Sequence, residues 1–190
     1  MYTTEAIVCG TYPTREHDAT VRLYTKDAGM LFARASGMRA GQSKLRYALQ
    51  DFSHARVSLV RGRQEWRVTG AVSIHNLYYA AKTRSSRSAL LASMRAVRRL
   101  IQGSGTSSHI FDMVIESMQT LAQGECDPLI EQVFLARLLY QLGYVAPGVV
   151  SAELLNAETI AEAYRVCLTE KRTHALLLRT VEEALVASHL

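Results

Sequence analysis

The chain has 190 residues, 48% of them hydrophobic and 21% charged, with a net charge of +5. That balance fits a folded protein of one large or two small domains and excludes a disordered tail, a collagen-like repeat and a disulfide scaffold. At this length roughly 70% of the extended-chain surface can be buried, enough for an apolar core without metal or disulfide staples. The charge is unevenly divided: residues 1–100 carry 17 Lys and Arg against 6 Asp and Glu, net +11, and residues 101–190 carry 5 against 11, net −6. A basic half joined to an acidic half points to contact with a polyanion, nucleic acid before any small molecule, and leaves folding or partner binding to the acidic half.

The start of the chain, Met-Tyr-Thr-Thr-Glu, lacks the basic and apolar regions of a secretory signal. The longest uncharged stretch, Leu138 to Ala152, is too short for a bilayer and is broken by Pro147 and Gly148. Cys9, Cys126 and Cys167 are odd in number and form no C-x-x-C pair. These features read as a reduced, cytoplasmic protein without a structural disulfide.

Up to about residue 74 the pattern has a period near two. Thr3 to Tyr12, Ala19 to Thr25 and Met30 to Ser36 form a predicted three-stranded meander, with Asp27-Ala28-Gly29 as the second turn. Two more strands, Ala55 to Val60 and Glu65 to Ile74, are joined at Arg61-Gly62-Arg63-Gln64. Between the third and fourth strands, Ser43 to Asp51 changes to helical spacing, with Leu45 and Leu49 on one face and Ser43 at the N-cap. Five strands with one short helix after the third is the order of an OB-fold barrel. From about residue 76 the period becomes 3.6: Leu90, Met94, Val97 and Ile101 make one stripe of a helix over Ser86 to Gln102. A flexible connection, Gly103 to Ser108, leads to a helix over His109 to Gln123 whose apolar face is Ile110, Met113, Val114, Met118 and Leu121. Asp127 and Pro128 open a further helix that Gly143 stops, and two more follow at about Ala157 to Cys167 and Lys171 to Ser188. The expected fold is thus α+β: an OB-fold domain over residues 1–75, then an all-α helical domain over residues 76–190 of five or so helices.

Basic and aromatic residues interleave in the barrel segment. Arg22, Tyr24 and Lys26 alternate along one strand, Phe32 and Arg34 along another, and Lys44, Arg46, Tyr47, Trp66 and Arg67 follow. Single strands need this chemistry: cations for phosphates, and ring faces on which a base stacks for about 1–3 kcal/mol. The competing account of each ring is a place in the barrel core, and of each cation a solvated surface charge. The segment Gly37 to Lys44 lacks the Gly-Lys-Ser/Thr order of a phosphate loop. Cys126, Cys167, His109 and His174 lack the spacing of a zinc site, and no nucleophile sits in a G-x-S-x-G elbow. No metal, cofactor or catalytic residue is expected, and the residues describe a binding protein rather than an enzyme.

Several segments together resemble one family. Tyr24-Thr25-Lys26-Asp27-Ala28-Gly29, Ala35-Ser36-Gly37-Met38-Arg39, Ser43-Lys44-Leu45-Arg46 and Leu49-Gln50-Asp51-Phe52 are similar, in order and spacing, to the amino-terminal barrel of the RecO recombination mediators. Phe134 to Tyr144 resembles the family's helix ending in leucine-glycine-tyrosine. The chain departs from the pattern at Asp51, where proline is usual, and at Ser36, and it lacks the four-cysteine zinc insertion of many members. The resemblance implies binding of single- and double-stranded DNA, annealing of complementary strands, and loading of RecA together with RecR onto strands coated by single-strand-binding protein.

The expected DNA contacts are Arg15, Arg22, Lys26, Arg34, Arg39, Lys44 and Arg46, with Arg61, Arg63 and Arg67 behind them. Arg84, Arg87, Arg95, Arg98 and Arg99 have three readings: an extension of the DNA track, a receptor for the acidic tail of single-strand-binding protein, as the resemblance suggests, or internal partners for the acidic helices. An OB-type adaptor whose basic face docks an acidic protein is the alternative to DNA binding, and a nuclease or phosphotransferase is a third class.

Overall fold

A computed structural model of the chain describes residues 1–63, 65–103, 105, 107–124, 126–169 and 171–187. Two compact units emerge, Met1–Ala80 with Ile101–Phe111, and Ala81–Leu100 with Asp112–Leu190.

The first unit is a closed barrel of β1 (Tyr2–Pro13), β2 (Ala19–Thr25), β3 (Gly29–Ala35), β4 (Ser53–Arg61) and β5 (Trp66–Asn76), in the order β1-β2-β3-β5-β4. The single parallel contact, β3 with β5, closes the cylinder, and the helix α1 (Lys44–Ala48) sits between β3 and β4 in sequence. This is the expected OB-fold. Alternation supplies the core: Val21, Leu23, Leu31, Ala33, Val57 and Leu59 point inward and are buried. Leu49 and Met38 join them from outside the strands, so the α1 end and the loop before it are anchored in the same core. Ser43 stands at the N-cap of α1 but makes no side-chain cap bond. The β1 ladder shifts register between Val8 and Gly10, a bulge that absorbs Cys9.

The outer wall of the barrel is not all solvent-facing. Phe111, from the stretch Ile101–Phe111 that returns to this unit, packs on Tyr24 with ring centroids 5.3 Å apart and on His54 at 6.2 Å. Met30 N–H donates to the Gly103 carbonyl at 3.0 Å, tying the same stretch to β3. The connection expected from Gly103 to Ser108 includes Ser104 and Thr106, which lie outside the described residues.

The second unit is helical. After the short α2 (Leu77–Ala80) of the first unit come α3 (Arg84–Leu100), α4 (Ser108–Gln123), whose first residues up to Phe111 belong to the first unit, α5 (Pro128–Gln141), α6 (Ala152–Leu155), α7 (Ile160–Thr169) and α8 (Lys171–Ala187). The expected stripes are buried: Leu90, Met94 and Val97 on α3, and Met113, Val114, Met118 and Leu121 on α4. Asp127 accepts from the Leu129 N–H at 2.8 Å and Pro128 takes the first helical position, as the sequence indicates. At the other end of α5, Gly143 N–H donates to the Tyr140 carbonyl and Tyr144 N–H to that of Leu139, both at 2.9 Å, with Gly143 at φ 83. That is a Schellman stop, and it gives the leucine-glycine-tyrosine run its physical reason. The helix expected over Ala157 to Cys167 begins three residues later at Ile160, where the Glu116 carboxylate receives its first N–H, and of the helix expected over Lys171 to Ser188 the last residue lies outside the described residues.

Candidate nucleic-acid interface

Alternation turns Tyr12, Arg22 and Phe32 to the outside of the barrel. The register sets Gly10 of β1 opposite Arg22 of β2, and Arg22 opposite Phe32 of β3. Gly10 leaves a gap that the Tyr12 ring covers: a Cβ placed on Gly10 would stand 3.0 Å from the phenol oxygen. The Arg22 guanidinium carbon is 5.6 Å from the Phe32 centroid, within cation–π range. The Tyr12 and Phe32 rings stand 6.5 Å apart and are 45% and 52% exposed. A ring, a half-buried guanidinium and a second ring thus run across three strands, with the two rings open to solvent.

Two loops adjoin this face. In the first, Thr14 and Arg15 N–H groups donate to the Asp18 carbonyl, closing a tight turn. The Asp18 carboxylate then leaves its own loop: Oδ1 accepts from the Gly37 N–H at 2.9 Å and Oδ2 from Arg34 Nη2 at 2.6 Å. The second loop returns two bonds, from the Arg39 N–H to the His17 carbonyl at 2.9 Å and from Arg39 Nη1 to the Arg15 carbonyl at 3.3 Å. Gly37 takes a left-handed φ of 65, and Met38 beside it is buried in the barrel. The Arg34 guanidinium, then the Gly37 N–H, hold the Asp18 carboxyl below its usual range.

Arg15 and Arg39 are therefore brought together, both exposed, on two joined loops, with Arg22 on the adjoining strand face. Arg34 stands differently from its neighbours: Asp18 at 2.6 Å and Glu65 at 3.7 Å meet its charge inside the protein. Lys26 follows the far end of β2, a seven-residue strand that spans about 20 Å, and its N–H donates to the Glu5 carbonyl. Lys44 and Arg46 are exposed on α1, as is Tyr47. Around the β4–β5 turn, Arg61 lies 5.7 Å from the Trp66 centroid, Arg67 Nε is 3.7 Å from Glu65, and Arg63 is exposed.

Two of the interleaved rings belong to packing instead. Tyr24 is fully buried under Phe111, and Trp66 packs against the barrel core beside Tyr2. The reason for Tyr24 is that residues far along the chain cover its strand face, which alternation cannot register. Tyr12 and Asp18 are the converse case. Alternation across Gly10 and Tyr12 is the signal for the ring; Asp18 reads locally only as a turn residue.

In the helical unit, Arg84, Arg87, Arg95 and Arg99 are exposed and Arg98 is half-buried. Arg87 Nη2 donates to the Ala81 carbonyl at 3.3 Å. Arg95 and Arg99 flank a cavity of about 370 Å³ whose lining includes Ala96, Leu100, Leu135 and Leu185. Glu131 of α5 also feels Arg95: burial pushes its carboxyl up, and the guanidinium pulls it back. Among the described residues no three His, Cys, Asp or Glu side chains gather to hold a metal ion. No helix of the described residues is long and apolar enough to cross a membrane.

Residues 1–77 match the family model of the recombination protein O amino-terminal region. Over 145 residues, 76% of this chain, the sequence is 27% identical to the DNA repair protein RecO of Rubrobacter xylanophilus. The aligned part spans 58% of that relative's length. The five-stranded barrel supplies the fold that the amino-terminal match calls for, so the similarity to the RecO family lies foremost in residues 1–77.

Proposed function

We propose that this chain binds single-stranded DNA across the outer face of β1, β2 and β3 and the two loops carrying Arg15 and Arg39, as part of recombinational DNA repair. The observation that carries the reading is the Tyr12–Arg22–Phe32 row, two exposed rings with a half-buried guanidinium, beside those paired cationic loops. Rings 6.5 Å apart suit stacking of bases without reading their identity, while the arginines neutralise phosphates and release counterions. Strands held with their charge neutralised and bases accessible can find complements, so strand annealing without ATP follows, and duplex binding follows from the same phosphate contacts. Arg22, Arg15 and Arg39 contribute most; Lys44 and Arg46 extend the surface, and Lys26 serves only a strand that runs the length of β2. The activity is binding rather than catalysis.

The partners are RecR, RecA loading being the shared outcome, and single-strand-binding protein. The cavity flanked by Arg95 and Arg99, with its aliphatic lining, suits an acidic tail with apolar side chains, which favours that reading of the α3 arginines over a DNA track. The test is fluorescence anisotropy of a labelled single-stranded oligonucleotide across a salt series: affinity should fall steeply with salt. Salt-independent binding, or binding lost on charge reversal only to a protein partner, would favour an adaptor for acidic proteins.

A further inference from the structure

The two cationic loops of the barrel are held together by an anion. On charge alone Asp18 is the wrong residue for a basic face, since it repels phosphate and cancels part of the local positive potential. Its geometry indicates another role. One carboxylate oxygen takes the Gly37 N–H of the second loop and the other takes Arg34 of β3, while the Asp18 carbonyl closes the first loop on Thr14 and Arg15. The side chain is 15% exposed and is ion-paired at 2.6 Å, the shortest of the side-chain contacts in these loops. Arg39 then lies across the joint, bonded to the backbone of His17 and Arg15.

We infer that Asp18 is a positioning residue of the proposed DNA interface: it fixes the first loop against the second, so that the Arg15 and Arg39 guanidinium groups present as a pair. Arg34 is its partner in this and not an open phosphate ligand. The inference rests on the reading of this face as a DNA-binding surface. Without this tie the loops keep the Arg39 bonds to His17 and Arg15 but lose the anchor to Gly37 and Arg34, and ordering the more mobile cations on a phosphate backbone costs entropy that the tied loops have already lost on folding. Removing a negative charge would then weaken binding to an anion, the opposite of what simple electrostatics requires.

The experiment compares the full chain with D18N, R39Q and the double variant for binding to a labelled oligothymidine at several salt concentrations. The expected result is about a tenfold loss of affinity for D18N near 50 mM salt and a log–log salt slope shallower by about 0.7 to 1.4, the loss of one or two phosphate contacts. R39Q should cost clearly less in the D18N background than alone, because the two changes disable one device. A merely structural role would lower the unfolding midpoint and leave the slope of the folded fraction unchanged. D18N binding that is equal to or tighter than wild type, with the same slope, overturns the inference alone. Absence of wild-type binding overturns the interface reading and this inference with it. Should D18N fail to fold, the D18N/R34Q pair, which leaves no unpaired charge, carries the same comparison against R34Q.

Discussion

Phe32 and Tyr24 sit on neighbouring strands, both turned outward, and their fates differ because of what lies over them. Phe32 has Arg22 and the exposed Tyr12 ring beside it and stays half exposed, whereas Tyr24 is buried under Phe111. Truncating Phe32 to alanine should cost single-strand affinity by about 1–3 kcal/mol, the worth of one stacked base, and barely move the thermal midpoint, since the ring is half exposed; anisotropy and a thermal melt on the same sample check both. Alternation made Arg22 and Phe32 legible. It could not make Tyr24 legible, because the covering residue lies nearly ninety positions later. His54 gives a prediction on pH. Burial pushes its imidazolium below the ordinary value of 6.5, against the opposing pull of Glu5, and burial lowers His75 beside it as well. Lys26 adds to the lowering of His54. Both rings thus resist protonation in the fold, and the unfolded chain takes up protons first as pH falls through about 6.5. Stability should be fully present above that value and decline below it. The thermal midpoint should therefore fall between about pH 7.5 and pH 5.5, and H54Q should flatten that dependence.

Elements differ in how plainly their sequences announce them. The five strands and the helices α3 and α4 each repeat an apolar pattern often enough to be read, and α5 is announced by its ends, at Asp127 and Gly143. The helices α2 and α6 have four residues each, about one turn, and no periodicity can show in so short a run. α5 shows the opposite difficulty: it packs on α3, α7 and α8, so its burial extends around the helix and takes in Arg137, whose guanidinium donates to the Ala157 carbonyl. The return of Ile101–Phe111 to the barrel is likewise invisible to local pattern, since the stretch reads simply as a linker and a helix start. It should nonetheless matter energetically. Phe111 is 1% exposed, between Tyr24 and His54, so F111A should destabilise the barrel unit by about 3–5 kcal/mol, measured by urea unfolding followed through barrel fluorescence.

Over the whole molecule, the division of charge into +11 and −6 first suggested nucleic acid, and it remains the broadest support for that reading. Charge alone locates no contacts. Folding joins Arg15 to Arg39, lays Arg22 over the Phe32 ring, and ties Arg34 to Asp18, so equally basic residues have different surroundings. The proposed interface binds single strands through phosphate neutralisation and stacking together. Its most direct test is one titration of a labelled single-stranded oligonucleotide, with the matching duplex as comparison, over a series of salt concentrations. Binding to the single strand should be the tighter, with a log–log slope of about −2 to −3, corresponding to three or four phosphates. A slope near zero, or equal affinity for both forms that Y12A and F32A leave untouched, would contradict it.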